Sequence, residues 1–348
     1  MRTRRVTMQD VADLAKVSKS TVSLAFRDSK RLSEDTVRSV MDAAKELGYA
    51  QDPTARMFRT RRTGSLGMLL PQQLDKVLEN PYYTMFLQGV GQICQREGYT
   101  LLLVPPLRGS IIKAIPYAAV DGFIVSGLET DRGEVTALTQ RGIPFVLVDS
   151  DPIAGVSSID LDEYDSVRSL VTRLLALGHR RIAFVAIETG ADSGYRSWRG
   201  PVHRRVQGAV DALASEGLDL ESEGISLLEV PCTRAGGGQA FRALWSASPR
   251  PTAMVAFSDI IALGILDAAR EAGVSVPAQL SVTGFDDLSE AVWAGPSLTT
   301  IRQPIVTKGR LAAEFLVEAI NAEESLPTQE RLATVPLFRD STGPAPRG

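Results

Sequence analysis

VTMQDVADLAKVSKSTVSLAFRDSKRLSEDTVRSVMDAAKELGYA, residues 6–50, reads as three short helices in succession. Thr7 is a capping residue with Asp10 three positions on, and Val11, Leu14 and Ala15 follow at helical spacing. Lys16, Val17 and Ser18 interrupt the pattern, and Ser18 can cap a second helix carrying Val22 and Phe26 on one side. Ser33 caps a third, with Glu34 and Asp35 near its positive end. Its apolar stripe is Val37, Val40, Met41, Ala44 and Leu47, and Gly48 stands where a helix stops. Two helices joined by a three-to-four-residue turn and braced by a third make a helix-turn-helix unit, whose second helix enters the major groove. That places Lys19, Ser20, Ser23 and Leu24 near base edges. A lysine can donate to guanine, a serine can pair with several bases, and a leucine can pack on a thymine methyl. Thr7, Ser18, Thr21, Arg27, Arg31, Thr36 and Tyr49 complete the expected DNA contacts, several of them to phosphate. The same pattern also fits a small helical bundle with a solvated polar face.

Charge agrees with the first reading. Residues 1–62 carry 14 Lys and Arg against 8 Asp and Glu, whereas the whole chain of 348 residues sums to −3. A basic head on an acidic body is expected if only the head meets nucleic acid. The length exceeds one ordinary core, and 44% apolar with 23% charged residues is the composition of a globular protein. Cys94 and Cys232 fit no metal spacing and no disulfide framework, and no metal or other cofactor is expected. Nothing reads as a signal peptide or a membrane span, so a cytoplasmic protein without membrane partners is expected.

The wording of the head closely resembles the DNA-binding head of the lactose-repressor (LacI/GalR) family. The run Val17, Ser18, Thr21, Val22, Ser23 matches, as do Ser33 with Thr36 and the closing Gly48-Tyr49. Two positions depart. Lys16 stands where the family usually carries glycine, so it must accept a left-handed backbone; Leu24 stands where many members place a base-reading arginine. Operator preference is therefore not transferable. Residues 51–63 read as a joint: Asp52-Pro53 can open a helix of about two turns, too short to be stable alone in water. The resemblance implies that two such helices pair in the minor groove of the operator. Phe58 takes the place of the family's leucine wedge, flanked by Ala55, Arg56 and Arg59. A flexible basic linker with one aromatic is the alternative.

From residue 64 onward, apolar runs alternate with amphipathic helices. The runs are SLGMLL, TLLLV, DGFIVSG, PFVLVD, RIAFVAI, TAMVAFS and LSVTGF; the helices lie near 84–97, 163–177, 203–216 and 260–272. The alternation means parallel sheets with helices on both faces, and seven strands suit two lobes better than one. The resemblance continues through NPYYTMFLQGVGQICQREGYTLLL, LGHRRIAFV, VSVPAQLSVTGFDD, SLTTIRQP and FRDST. It implies a periplasmic-binding-protein-like α/β core: one lobe of about 64–160 and 290–323, the other of 161–289 and 324–348, with three crossings.

Ligands bind such folds at the carboxyl ends of strands. The polar groups there are Ser126, Asp149, Ser258, Asp259 and Asp286. Arg205 matches the family's arginine in the step Arg205-Val-Gln-Gly208, and Tyr82 and Tyr83 can stack on an apolar sugar face. Carboxylates and an arginine on facing lobes can pair with vicinal hydroxyls, although any single aspartate is as readily a helix cap. Asp162 is read as such a cap, His179 as structural, and Gly236-Gly237-Gly238 as a turn leading into a helix from about Gln239. No phosphate loop, nucleophile elbow or metal-spaced set is present to support an enzyme. The sequence therefore implies a regulator, a repressor by resemblance, that binds double-stranded operator DNA as a homodimer. A small effector switches it: a sugar, a sugar phosphate or another small polar molecule.

Overall fold

The computed structural model describes residues 6–27, 29–50, 57, 61–127, 133–189, 194–322 and 326–347. The chain divides into two compact units, Met1–Thr63 and Gly64–Gly348.

The head contains α1 (Met8–Ala15), α2 (Lys19–Arg27) and α3 (Glu34–Glu46). Local capping chemistry sets their ends. Thr7 and Asp10 form a reciprocal capping box, Thr21 N donates to Ser18 Oγ at 3.0 Å, and Thr36 N donates to Ser33 Oγ. Lys16 takes a left-handed φ of 54°, the conformation its position between α1 and α2 requires. Val11 and Ala12, Val22 and Ala25, and Val40, Ala43 and Ala44 bury one face of each helix in a common core.

In the body, β1 (Ser65–Leu69), β2 (Thr100–Val104), β3 (Gly122–Ser126), β4 (Phe145–Val148), β5 (Ser158–Leu161) and β11 (Gln329–Leu332) form a parallel sheet in the order β2-β1-β3-β4-β5-β11. Its helices are α4 (Leu74–Leu78), α5 (Pro81–Glu97), α6 (Ile111–Ala114), α7 (Glu134–Gln140) and α13 (Ile305–Asn321). The second lobe orders β7 (Ile225–Val230), β6 (Ile182–Ile187), β8 (Ala253–Ala256) and β9 (Ser281–Thr283) in another parallel sheet. There α8 (Glu163–Ala176) and α9 (Gly200–Ala214) cover one face, and α10 (Arg234–Ser246) and α11 (Asp259–Glu271) the other. The short α12 (Ser289–Trp293) follows, and β10 (Thr300–Arg302) pairs antiparallel with β12 (Val335–Leu337).

Two expected lobe boundaries need correction. Residues 298–301 pack into the second-lobe cores through Leu298 and Ile301, so the chain returns to the first lobe after β10 rather than near 290. β11 pairs with β5, so 329–332 belongs to the first lobe and the last crossing falls between β11 and β12. Backbone pairing decides both, and strands this short leave little hydrophobic pattern to read.

Glycine sets the helix spacing. A Cβ at Gly89 or Gly309 would overlap backbone across the α5–α13 pair; Gly208 meets Tyr164 in the same way between α9 and α8. The run Gly236-Gly237-Gly238 is helical and buried, not a turn: Gly237 and Gly264 let α10 and α11 cross in backbone contact. The helix tolerates the glycines because close packing outweighs their roughly 1 kcal/mol propensity cost apiece.

Candidate functional site

In the head, Ser18, Lys19 and Ser20 are exposed at the start of α2, and Thr21, Ser23 and Leu24 are half-buried along it. Thr7 and Arg31 are exposed, and Thr36 is half-buried. Tyr49 packs its ring against Phe26, with centroids 5.9 Å apart. The oxygens of Thr7 and Ser18 are engaged as caps, and Ser18 Oγ also shares hydrogen bonds with Ser20 Oγ at 2.6 Å and Thr21 Oγ1 at 2.8 Å, so Lys19 is the exposed charged group at the α2 N-terminus. Ala55, Arg56, Phe58, Arg59 and the Arg27 side chain lie outside the described residues.

In the body, a cavity of about 260 Å³ opens where strand carboxyl ends of both sheets converge. Of the eight side chains expected to meet a ligand, Tyr82, Tyr83, Ser126, Asp149, Arg205, Ser258 and Asp286 line it. Tyr82 and Tyr83 occupy the first turn of α5, which Asn80 caps with Pro81 at its first position. Ser126 ends β3, Asp149 follows β4, Ser258 precedes α11, and Asp286 follows β9.

Asp259 does not line the cavity. It is fully buried, accepting from Leu288 N at 2.8 Å and from Thr300 Oγ1 at 2.5 Å. Its carboxylate pins the segment after β9 to the start of α11, because the first turn of a helix points such a side chain at neighbouring backbone donors. Burial and the adjacent Asp286 push it up to about 8. The structural readings of Asp162 and His179 hold. Asp162 caps α8, and the buried His179 ring bonds Thr252 Oγ1 at 2.9 Å and the Gly343 carbonyl at 3.0 Å.

The cavity floor is a chain of compensated charges. Lys308, on α13 and fully buried, donates to both oxygens of Asp149 at 2.7 and 2.8 Å and to Gln303 Oε1 at 2.6 Å. Tyr82 OH donates to Asp149 at 2.8 Å. Gln303 Nε2 in turn donates to Asp286 at 2.5 Å, and Ser258 Oγ donates to its other oxygen at 2.9 Å. Arg205 is neutralised by Glu163, at 2.5 and 3.2 Å, donates to the Phe257 carbonyl and lies over the Phe285 ring at 3.7 Å. Asp286 alone on this floor has only neutral donors. Burial raises its pKa to about 6, against the pull of Arg205. Asp149 and Asp286 both hold positive φ, 51° and 133°, strain of the kind concentrated at binding sites.

Sequence reasoning missed Lys308, Gln303, Glu163 and Asn80. Asn80-Pro81 carried a readable cap signal, and Gln303 sits in the quoted SLTTIRQP. Lys308 carried none, because a lysine in an amphipathic helix reads as solvated. Among the described residues no cluster of His, Cys, Asp and Glu could hold a metal, and no helix is long and apolar enough to cross a membrane.

Residues 7–52 match the lacI family of bacterial regulatory proteins, and residues 171–342 match the periplasmic binding protein-like domain. The chain is 35% identical to an HTH-type transcriptional regulator of Mycobacterium tuberculosis, over 98% of both chains. It superposes on the transcriptional regulator CelR in complex with cellobiose with a TM-score of 0.70 and 29% identity, covering 97% of this chain and 100% of the other. A lac repressor dimer bound to operator shares the fold, with a TM-score of 0.81 at 23% identity over 98% and 100% of the two chains. These relatives are regulators rather than enzymes, and this chain is a DNA-binding transcriptional regulator of the LacI family.

Proposed function

We propose that the protein is a repressor that binds a palindromic operator as a homodimer and is switched by a sugar held between the lobes of its body. The observation that carries the ligand reading is the cavity floor. Asp286 offers acceptor positions to hydroxyl donors, Arg205 retains unused N–H groups, and Tyr82 and Tyr83 supply aromatic faces. A phosphorylated sugar is the poorer fit. The Lys308 ammonium is occupied by Asp149 and Gln303, and Glu163 cancels the charge of Arg205. CelR, the relative seen with cellobiose, supports a carbohydrate.

On the DNA side, Lys19, Ser20, Ser23 and Leu24 face base edges. Thr7, Ser18, Thr21, Arg27, Arg31, Thr36 and Tyr49 hold the backbone, and Ala55, Arg56, Phe58 and Arg59 of the joint enter the minor groove. Ligand binding changes lobe closure, which alters the joint at 51–63. A coupling of ~1–3 kcal/mol changes operator affinity about 5–150-fold. No cofactor is required, and the protein acts in the cytoplasm, where the DNA is.

The test is fluorescence anisotropy on the DNA upstream of the protein's own gene and on a scrambled duplex, at fixed salt, because phosphate contacts dominate affinity. Binding to the upstream fragment at least about 10³-fold tighter than to the scrambled one is expected. Equal binding to both refutes the operator reading.

A further inference from the structure

A charged side chain of the second lobe bonds two carboxylates of the first. Arg204, on α9 of the second lobe, donates through Nη1 to Asp151 Oδ1 at 2.8 Å and through Nη2 to Asp160 Oδ1 at 2.6 Å. Both carboxylates belong to the first lobe, Asp151 just after β4 and Asp160 within β5. Asp151 also accepts from Gly200 N, at the start of α9, at 3.3 Å. The Arg204 side chain is 18% exposed and Asp160 19%, whereas Asp151 is 38% exposed, so water competes least at the Asp160 bond.

The two carboxylates differ in place. Asp160 lies one residue from the end of β5, where the chain crosses between lobes, so rotation about that crossing displaces it less than a residue farther from it. Asp151 stands on the cavity lip, away from any crossover. Rotation of the lobes about the crossovers therefore breaks both bonds to Asp151 and spares the bond to Asp160. A planar guanidinium bridging a fixed and a movable carboxylate suits a latch, since each edge of the fork keeps its own partner.

We infer that Arg204 is a positioning residue of the cavity: anchored on Asp160, it holds the lobes closed through Asp151 and fixes that carboxylate at the lip. The assignment of a ligand to this cavity rests on the function proposed above; the latch itself does not. Arg204 thus sets the closed population that a ligand meets, and a ligand contacting Asp151 competes with the latch or reinforces it.

The molecule carries its own reporter. Cys232 lines the same cavity and is reached across the cleft by Asn80 Nδ2 at 3.7 Å, whereas Cys94 is buried in the first-lobe core. We would measure the rate at which 5,5′-dithiobis(2-nitrobenzoic acid) modifies Cys232 in the full-length protein, with a Cys232→Ser variant supplying the Cys94 background. Arg204→Met and Asp151→Asn should each speed labelling about two- to fivefold, the effect of losing an ion pair whose outer partner is more than a third exposed. The double variant should react no faster than either single one, and Asp160→Asn should have a smaller effect. Unchanged rates in variants that melt within about 2 °C of the parent overturn the inference. Should Arg204→Met fail to fold, Asp151→Asn carries the test alone: faster labelling supports the latch, and an unchanged rate overturns it. The assay uses neither DNA nor sugar, so its outcome is separate from that of the proposed function.

Discussion

Replacing Lys308 by methionine removes the ammonium from the cavity floor and keeps most of the packing volume. In the parent, Lys308 is fully buried and bonds Asp149 and Gln303, while Asp149 is only 14% exposed. Lys308→Met leaves that carboxylate with Tyr82 OH as its remaining side-chain donor and strips Gln303 Oε1 of its partner. Breaking a buried pair by removing one member costs about 3–5 kcal/mol, because the survivor stays desolvated. At about 2–4 °C per kcal/mol for a large domain, the body should melt about 6–20 °C below the parent. Asp149→Asn added to Lys308→Met removes the stranded charge and should recover more than half of that loss. Thermal melts followed by circular dichroism at pH 7.5 read both variants. A single variant melting within about 2 °C of the parent refutes the argument. So does a double variant no more stable than the single.

Two further consequences follow from the same geometry. Asp286 titrates near 6 and meets the ligand as a carboxylate, so sugar affinity should hold above pH 7 and fall as pH drops through about 6. Calorimetric titrations at pH 5.0 and 7.5 with the same sugar check this, and affinity that rises in acid contradicts it. Gly237→Ala forces a Cβ into the Ile261 carbonyl and should abolish folding of the second lobe, whereas Gly91→Ala meets nothing within 4 Å. The latter should stabilise α5 by up to about 1 kcal/mol. Yields and melting temperatures of the two variants separate the cases, and equal behaviour of both denies that the helices touch at glycine.

What the sequence discloses depends on how local the cause is. Thr7, Ser33, Gly48 and the left-handed Lys16 act within a few residues, so the head is readable down to its caps. The central strands β1, β3, β4, β6 and β8 are continuous apolar runs, buried on both faces. At the sheet edges β7 is half-buried and β11 and β12 are mostly exposed, which leaves too weak an apolar pattern to read as strand. The cavity is legible as a set of strand ends, yet the direction of one side chain is not. Asp259 follows a strand as Asp149 does, but α11 turns it toward Leu288 and Thr300. Lys308 is the opposite case, a charged residue that only the α5–α13 packing puts inside the protein.

The central claim is that the cavity and the DNA-binding head are coupled. The direct measurement is operator affinity with and without each of a panel of neutral sugars, cellobiose and ribose among them, in the parent and in Arg205→Met. The account predicts that a sugar bound by the parent changes its operator affinity about 5–150-fold, and that Arg205→Met binds the same operator without responding. Operator affinity that is indifferent to a sugar calorimetry shows bound in the cavity would contradict it, as would an undiminished response in Arg205→Met.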